Sequence, residues 1–313
     1  MMNIRSLIVV SMFPLLMAAV NSYAAKIEPP WGKPPTGGIN FTVAGIDNVP
    51  DLHGDIINPN LVVFFAGNQF MVIPDLLEAF KKKYPQYQKI YVETLPPGIL
   101  AKQLAEGSLI IGNLKITVKP DVFTAGEARI KEMQGKQNPF EKTAAYAHNR
   151  LAIMVYRGNP KKIKSLKDLG RKDVRVSMPN PAWEGVGNRI IEAYRKAGGK
   201  ELEDKIMVQK VKTGTTFLTQ IHHRQTPVRV MLLQSDVGPV WYTEAFFQEM
   251  IQNPISLVEI PEKDNVTATY VAGKLKGAPH QQAAEDFFNF LTSPEGQAVY
   301  KKYNFLPVEE KAR

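Results

Sequence analysis

Leu61-Val62-Val63-Phe64-Phe65-Ala66-Gly67-Asn68-Gln69 reads as a short apolar strand that runs through a Gly-Asn turn into a helical pattern. A strand C-terminus feeding a helix N-terminus aims backbone N–H groups and a positive dipole end into a crevice, where α/β proteins hold small ligands. The same pattern returns at Val174-Arg175-Val176-Ser177-Met178-Pro179-Asn180-Pro181, followed by Trp183-Glu184-Gly185-Val186-Gly187 and another helical run. Two such cradles, about 110 residues apart, predict two facing lobes with one ligand between them.

The elements outward from these cradles alternate between strand and helix, which argues for an α/β architecture. The spacing predicts a helix over 71–84, with Lys81-Lys82-Lys83 in a last turn where cations complement the dipole, then a strand over 90–94. After the turn Leu95-Pro96-Pro97-Gly98 come a short helix over 100–107, a strand over 120–126 and a helix over 127–133. Strands are expected at 151–156, 174–178, 206–211, 237–241 and 267–271, and helices at about 187–197, 214–222 (Thr-capped), 281–291 and 294–303. Residues 60–150 and 269–313 would form lobe 1, and 151–268 lobe 2. No internal repeat is evident.

The N-terminus reads as an address. Arg5 precedes a 14-residue apolar stretch, Leu7 to Val20, and Ser22-Tyr23-Ala24 supplies small residues before a cut, so 1–24 has the anatomy of a secretory signal. The stretch is too short for a helix of ~20 apolar residues, although an uncleaved anchor is the alternative reading. A chain with no cysteine has neither a disulfide framework nor a thiol for a lipid anchor, which points to a soluble periplasmic protein. Removing Arg5 from the 39 basic residues leaves 38 against 30 acidic ones, a net charge of +8. The lysines are dispersed over amphipathic helices with no basic arm interleaved with aromatics, so nucleic acid is not an expected partner.

Residues 25–59 are rich in Pro and Gly and read as a strap over lobe 1, with Phe41 and Val43 able to add an edge strand. Asp51, His53 and Asp55 share one side of that segment only if it is a strand; a polar turn is the plainer reading. His222-His223-Arg224 reads as a helix C-terminal cap, with a ligand-holding Arg224 as the alternative. Neither group makes a complete metal-ligand set, and neither metal nor cofactor is expected.

Arg157-Gly158-Asn159-Pro160-Lys161-Lys162-Ile163-Lys164-Ser165-Leu166-Lys167-Asp168-Leu169, followed by Val174 to Pro181, resembles the corresponding stretch of periplasmic sulfate-binding proteins. The order of elements looks like that of their molybdate-binding relatives. Ala284-Glu285-Asp286-Phe287-Phe288-Asn289-Phe290-Leu291-Thr292-Ser293-Pro294-Glu295-Gly296-Gln297 is similar to the closing signature of type II solute-binding proteins. The resemblance covers about residues 60–305. It implies the two-lobed type II periplasmic binding protein fold: each lobe a mixed sheet flanked by helices, two crossover strands between them. A monomer of this kind closes on its ligand and delivers it to an inner-membrane ABC permease.

The chain departs from those patterns inside the cradles. Where the sulfate-binding pattern places Ser and Gly after Asn-Pro, this chain has Ala182-Trp183-Glu184-Gly185; where the molybdate pattern has Ser, it has Gly67-Asn68-Gln69. Trp241, with Tyr242 beside it, stands where that pattern has Tyr. A carboxylate aimed at a bare dianion costs several kcal/mol in a poorly solvated cleft. The ligand is therefore either an oxyanion such as molybdate or sulfate, or a small organic solute. The candidate binding residues are Gly67, Asn68, Gln69, Pro97, Gly98, Thr124, Trp183, Glu184, Gly185, Trp241 and Tyr242. Packing for Trp241 and a helix-dipole role for Glu184 are the structural alternatives. No G-x-S-x-G elbow, P-loop or H-E-x-x-H motif is present, so catalysis is not expected, although distant residues such as His148 or His223 can assemble a hydrolytic site. A sensor or accessory protein that borrows the fold without transport is the other alternative.

Gly67→Val is expected to abolish binding by filling space the solute needs, with a modest loss of stability unless Gly67 has positive φ. Calorimetry checks the first half and thermal melts the second.

Overall fold

The computed structural model describes residues 39–41, 51–111, 114–182, 184–220, 222 and 224–308. The expected export signal at 1–24, most of the expected strap at 25–59, Trp183 and His223 lie outside the described residues.

Strand β3 (Leu61–Phe64), all four of whose residues are buried, lies between β4 (Ile90–Glu93) and β7 (Val122–Gly126) and runs parallel to both. A strand covered on both faces needs a continuous apolar run rather than an alternating one, and Leu-Val-Val-Phe supplies it. β1 (Ile39–Phe41) and β2 (Leu52–Gly54) extend this sheet beyond β4, while β14 (Ala268–Leu275) and β8 (Phe140–Asn149) extend it beyond β7. The resulting order is β1-β2-β4-β3-β7-β14-β8. Gly54 has φ +101°, and a Cβ there would fall 2.0 Å from the Ile90 carbonyl oxygen, so β2 can lie against β4 only with glycine at its end.

Helix α1 (Ile73–Lys83) follows a 3-10 turn over Gly67–Val72. It packs on α8 (Gln281–Leu291) through Phe80, whose ring stacks on Tyr87 at 5.8 Å and meets Phe287 edge-on at 4.9 Å, and it is tied to α9 (Pro294–Lys302) by the pairs Lys83–Glu295 and Asp75–Lys302. α9 starts at Ser293, whose side chain accepts the Gly296 N–H as an N-cap. On the remaining connections α2 (Pro97–Glu106) precedes a hairpin of β5 (Leu109–Ile111) and β6 (Leu114–Ile116), and α3 (Glu127–Gln137) follows β7 directly.

The second sheet has the order β11-β10-β12-β9-β13. β9 (Leu151–Tyr156) lies antiparallel to β12 (Val237–Trp241) and β13 (Ile255–Glu259), and β10 (Val176–Met178) lies parallel to β12 and β11 (Thr216–Leu218). One face carries α4 (Gly185–Asp204), and the other carries α6 (Gln225–Met231) and α7 (Tyr242–Met250). The chain passes between sheets at Arg150 and returns between β13 and β14.

Two sequence expectations are corrected here. The run 206–211 is not a strand: Lys205–Gln209 is a π-helical turn continuing into α5 (Lys210–Lys212). Its burial does not follow the period of two that a half-covered strand shows. Ile206 and Lys210, four apart, face inward, Val208 is exposed, and the Lys210 ammonium donates to the Arg171 and Val174 carbonyls. The run 214–222 is not a helix either. Gly214 has φ +73° and ends the preceding helical turn, after which the β-branched Thr216 starts β11. The helix α6 begins only at Gln225, so His222 and Arg224 stand at its head rather than at a C-terminal cap.

Glu93, at the end of β4, is fully buried. Its Oε1 accepts the Tyr91 hydroxyl at 3.1 Å and the Gln103 amide at 2.9 Å, while Glu93 Oε2 and Gln103 Oε1 are buried without a partner. Burial pushes the carboxyl up from 4.5 to about 7. The unfolded chain ionises first, so the full stability is present below pH 4.5 and is lost as pH rises through about 7. Glu93→Gln is therefore expected to match the parent at pH 4 and exceed it by about 3 kcal/mol at pH 8, the difference being read by urea unfolding at both values. Equal pH profiles for the two proteins would count against a buried neutral acid.

Candidate functional site

A cleft of about 510 Å³ opens between the two sheets. Its lobe 1 wall is Ala66–Asn68 at the head of the 3-10 turn, Pro96–Gly98 at the head of α2, Gly126–Arg129 at the head of α3, and Thr269 and Tyr270 of β14. The lobe 2 wall is Glu184–Val186, Asn188 and Arg189 at the head of α4, with His222, and Trp241 where α7 begins. Each head follows a strand or an extended segment, so helix N-termini from both lobes point their positive ends at one space. Arg129 and Arg189 bring guanidinium groups to the cleft, each paired with a glutamate three residues on: Glu132, which also lines the cleft, at 2.5 Å and Glu192 at 3.1 Å.

Seven of the residues expected from sequence line this cleft: Gly67, Asn68, Pro97, Gly98, Glu184, Gly185 and Trp241. Asn68 donates its side-chain amide to the Tyr270 hydroxyl. Trp241 meets the same ring edge-on at 6.1 Å across the lobes and packs in the lobe 2 core, so its packing role is filled while it also borders the cleft. Glu184 is buried at the N-cap position of α4, with Oε1 accepting the Thr219 hydroxyl at 2.7 Å; Thr219 in turn accepts the Asn180 N–H.

Three expected residues are placed elsewhere. Gln69 lies in the lobe 1 core between the hydroxyls of Tyr146 and Tyr300, because the first turn after Gly67 is 3-10 and rotates position 69 inward. Thr124 is buried with its hydroxyl accepting the Ala66 N–H, so it shapes the cradle from behind. Tyr242 faces the crossing at Arg150, whose guanidinium lies 3.7 Å from its ring centre, and its hydroxyl donates to Glu259. Trp183 is outside the described residues.

The other wall residues were not expected. Arg129 falls in the first turn of α3 after a small-residue strand end, and Arg189 follows the Gly-x-Gly opening of α4; those positions were the available signal. His222 Nδ1 accepts the Arg224 N–H, and among the described residues no three His, Cys, Asp or Glu side chains gather around one point. The plain polar-turn reading of Asp51, His53 and Asp55 is corrected: His53 lies within β2, paired with β4, and only Asp55, whose Oδ1 accepts the N–H groups of Ile57 and Asn58, makes a turn, while burial pushes His53 down to about 4.

A family model described as "Bacterial extracellular solute-binding protein" matches residues 61–306. Over 252 residues the chain is 23% identical to the molybdate-binding protein ModA of Mycobacterium tuberculosis, covering 79% of this chain and 84% of that one. Among solved structures, the periplasmic molybdate-binding protein of Azotobacter vinelandii superposes with a TM-score of 0.64 at 16% identity, covering 80% of this chain and all of that one. The sulfate-binding protein SubI of M. tuberculosis gives 0.63 at 20% identity, covering 80% and 86%.

Gly67 does not have positive φ; what it lacks is room. A Cβ at 67 would lie 2.7 Å from His222 Nε2 on the other lobe and 2.8 Å from the Thr94 carbonyl oxygen. The backbone contact changes the expectation for this site: even Gly67→Ala should cost about 1–3 kcal/mol by overpacking, and Gly67→Val more. Thermal melts of Gly67→Ala that match the parent would place Thr94 and His222 farther from residue 67.

Proposed function

Because the chain belongs to the bacterial extracellular solute-binding protein family, we propose that it is the solute-binding component of an ABC import system, capturing an oxyanion-bearing solute between its lobes. The observation that carries this reading is the convergence of helix N-termini from both lobes, with Arg129 and Arg189, on one cleft. Export on residues 1–24 into the periplasm and action as a monomer alongside an inner-membrane permease complete the reading. A solute touching both walls makes contacts available only when the lobes meet, and that differential affinity drives closure about the crossings at 149–151 and 259–268.

Glu184 narrows the ligand. Its carboxyl shares the cleft with the two arginines, so a bare dianion meets a repulsive group as well as attractive ones. A small organic anion carrying a hydroxyl or amino donor satisfies both, and the cleft volume lies within the ~300–1,000 Å³ usual for such ligands. Bare molybdate or sulfate is the second reading, favoured by the names of the relatives.

Calorimetry and native mass spectrometry with molybdate, sulfate and a panel of small carboxylated and phosphorylated hydroxy acids separate these readings. Arg129→Gln and Arg189→Gln are each expected to weaken the bound anion about 10- to 100-fold, from the ~1.5–3 kcal/mol of a charged hydrogen bond. Glu184→Ser should strengthen bare oxyanions and weaken the organic anion. Unchanged affinities in both arginine variants would overturn the anionic reading.

A further inference from the structure

We propose that Asp51, which lies ahead of the family-matched residues 61–306, forms with Arg224 a latch that holds the two lobes together. Asp51 directly precedes β2, and its backbone carbonyl accepts the Thr94 N–H at 2.8 Å, so it is fixed to the lobe 1 sheet beside the cradle that ends in Gly67. Arg224 belongs to lobe 2, at the N-cap position of α6. Their side chains pair directly at 1% and 2% exposure.

A guanidinium at a helix N-terminus opposes the dipole, so the position is unfavourable for Arg224 on its own lobe. The other lobe supplies compensation: the carboxylate of Asp51, and the ring of Phe70, whose centre lies 5.3 Å from the guanidinium carbon. Phe70 also packs edge-on against Phe247 of α7 at 5.5 Å, which surrounds the pair with apolar surface. Removing one member of such a pair withdraws its interlobe partner from a charge that stays buried in the closed form, whereas opening returns that charge to water. The pair therefore biases the lobe equilibrium without touching the solute. This inference rests on the closing of two lobes and not on which solute is bound.

The test uses the full mature chain without solute. The sequence has no cysteine, so spin labels at K102C on α2 and K200C on α4, both on well-exposed lysines, report one interlobe distance. Asp51→Asn and Arg224→Gln are each expected to lower the closed-to-open ratio about 100-fold or more and to add a longer distance. The double variant should lose less than the two effects combined, since both substitutions remove the same interlobe interaction. Arg224→Lys, which keeps the charge and loses the planar fork, should fall between. Distance distributions unchanged from the parent in folded Asp51→Asn, Arg224→Gln and Arg224→Lys proteins, or strictly additive effects in the double variant, would overturn the latch. A lower melting temperature with unchanged distances would also overturn it, leaving the pair as a fold staple.

Discussion

The side-chain amide of Asn265 holds both backbone groups of Leu151: its Oδ1 accepts the N–H and its Nδ2 donates to the carbonyl, each at 2.9 Å. The same Nδ2 reaches the Ile260 carbonyl at 3.3 Å. The outgoing crossing and the returning one are thereby tied into a single joint. Arg150 sits in that joint between the Tyr242 ring and Glu259, and Tyr242 donates its N–H to the Arg150 carbonyl. Two strands that cross independently would let the lobes slide; two that share an amide confine them to rotation. The alignment of the facing walls, and so the existence of a defined cleft, depends on this confinement.

On that frame the electrostatics of the cleft are a balance of opposite signs. Helix heads and two arginines raise the potential, while Glu132, paired with Arg129, and Glu184, buried and hydrogen-bonded to Thr219, lower it. A site built this way discriminates by the position of charge as well as by its amount, because a group that suits the helix heads is rejected if it approaches Glu184.

Much of the fold was legible because its strands are short, doubly covered and apolar. Leu151–Tyr156 and Gln281–Leu291 fall where the hydrophobic patterns put them. The misread stretches are those where local pattern and tertiary partner disagree. Ile206 to Val211 has a strand's composition but continues α4 past the Gly198-Gly199 kink, and it is held helical by a lysine reaching distant carbonyls. Thr216–Leu218 forms a strand because β10 offers it an edge. In the site, backbone-dominated positions such as Gly67, Gly98 and Gly185 could be read from turn chemistry. Arg129 and Arg189 could not, since an arginine near the start of a helix is ordinary until the opposite wall is known. Asp51 paired with Arg224 was beyond reach for the same reason: 173 residues separate them in sequence.

The Tyr270 hydroxyl accepts from Asn68 on the cleft wall and, at 3.4 Å, from Asn149, whose amide also reaches Thr243 across the joint at 3.0 Å. The wall of the cleft and the axis of rotation thus share one oxygen. Recognition and movement become separable in such an arrangement: a molecule that fills the cleft without engaging Asn68 leaves the shared oxygen undisturbed, and occupies the protein without conveying to the joint that it has arrived.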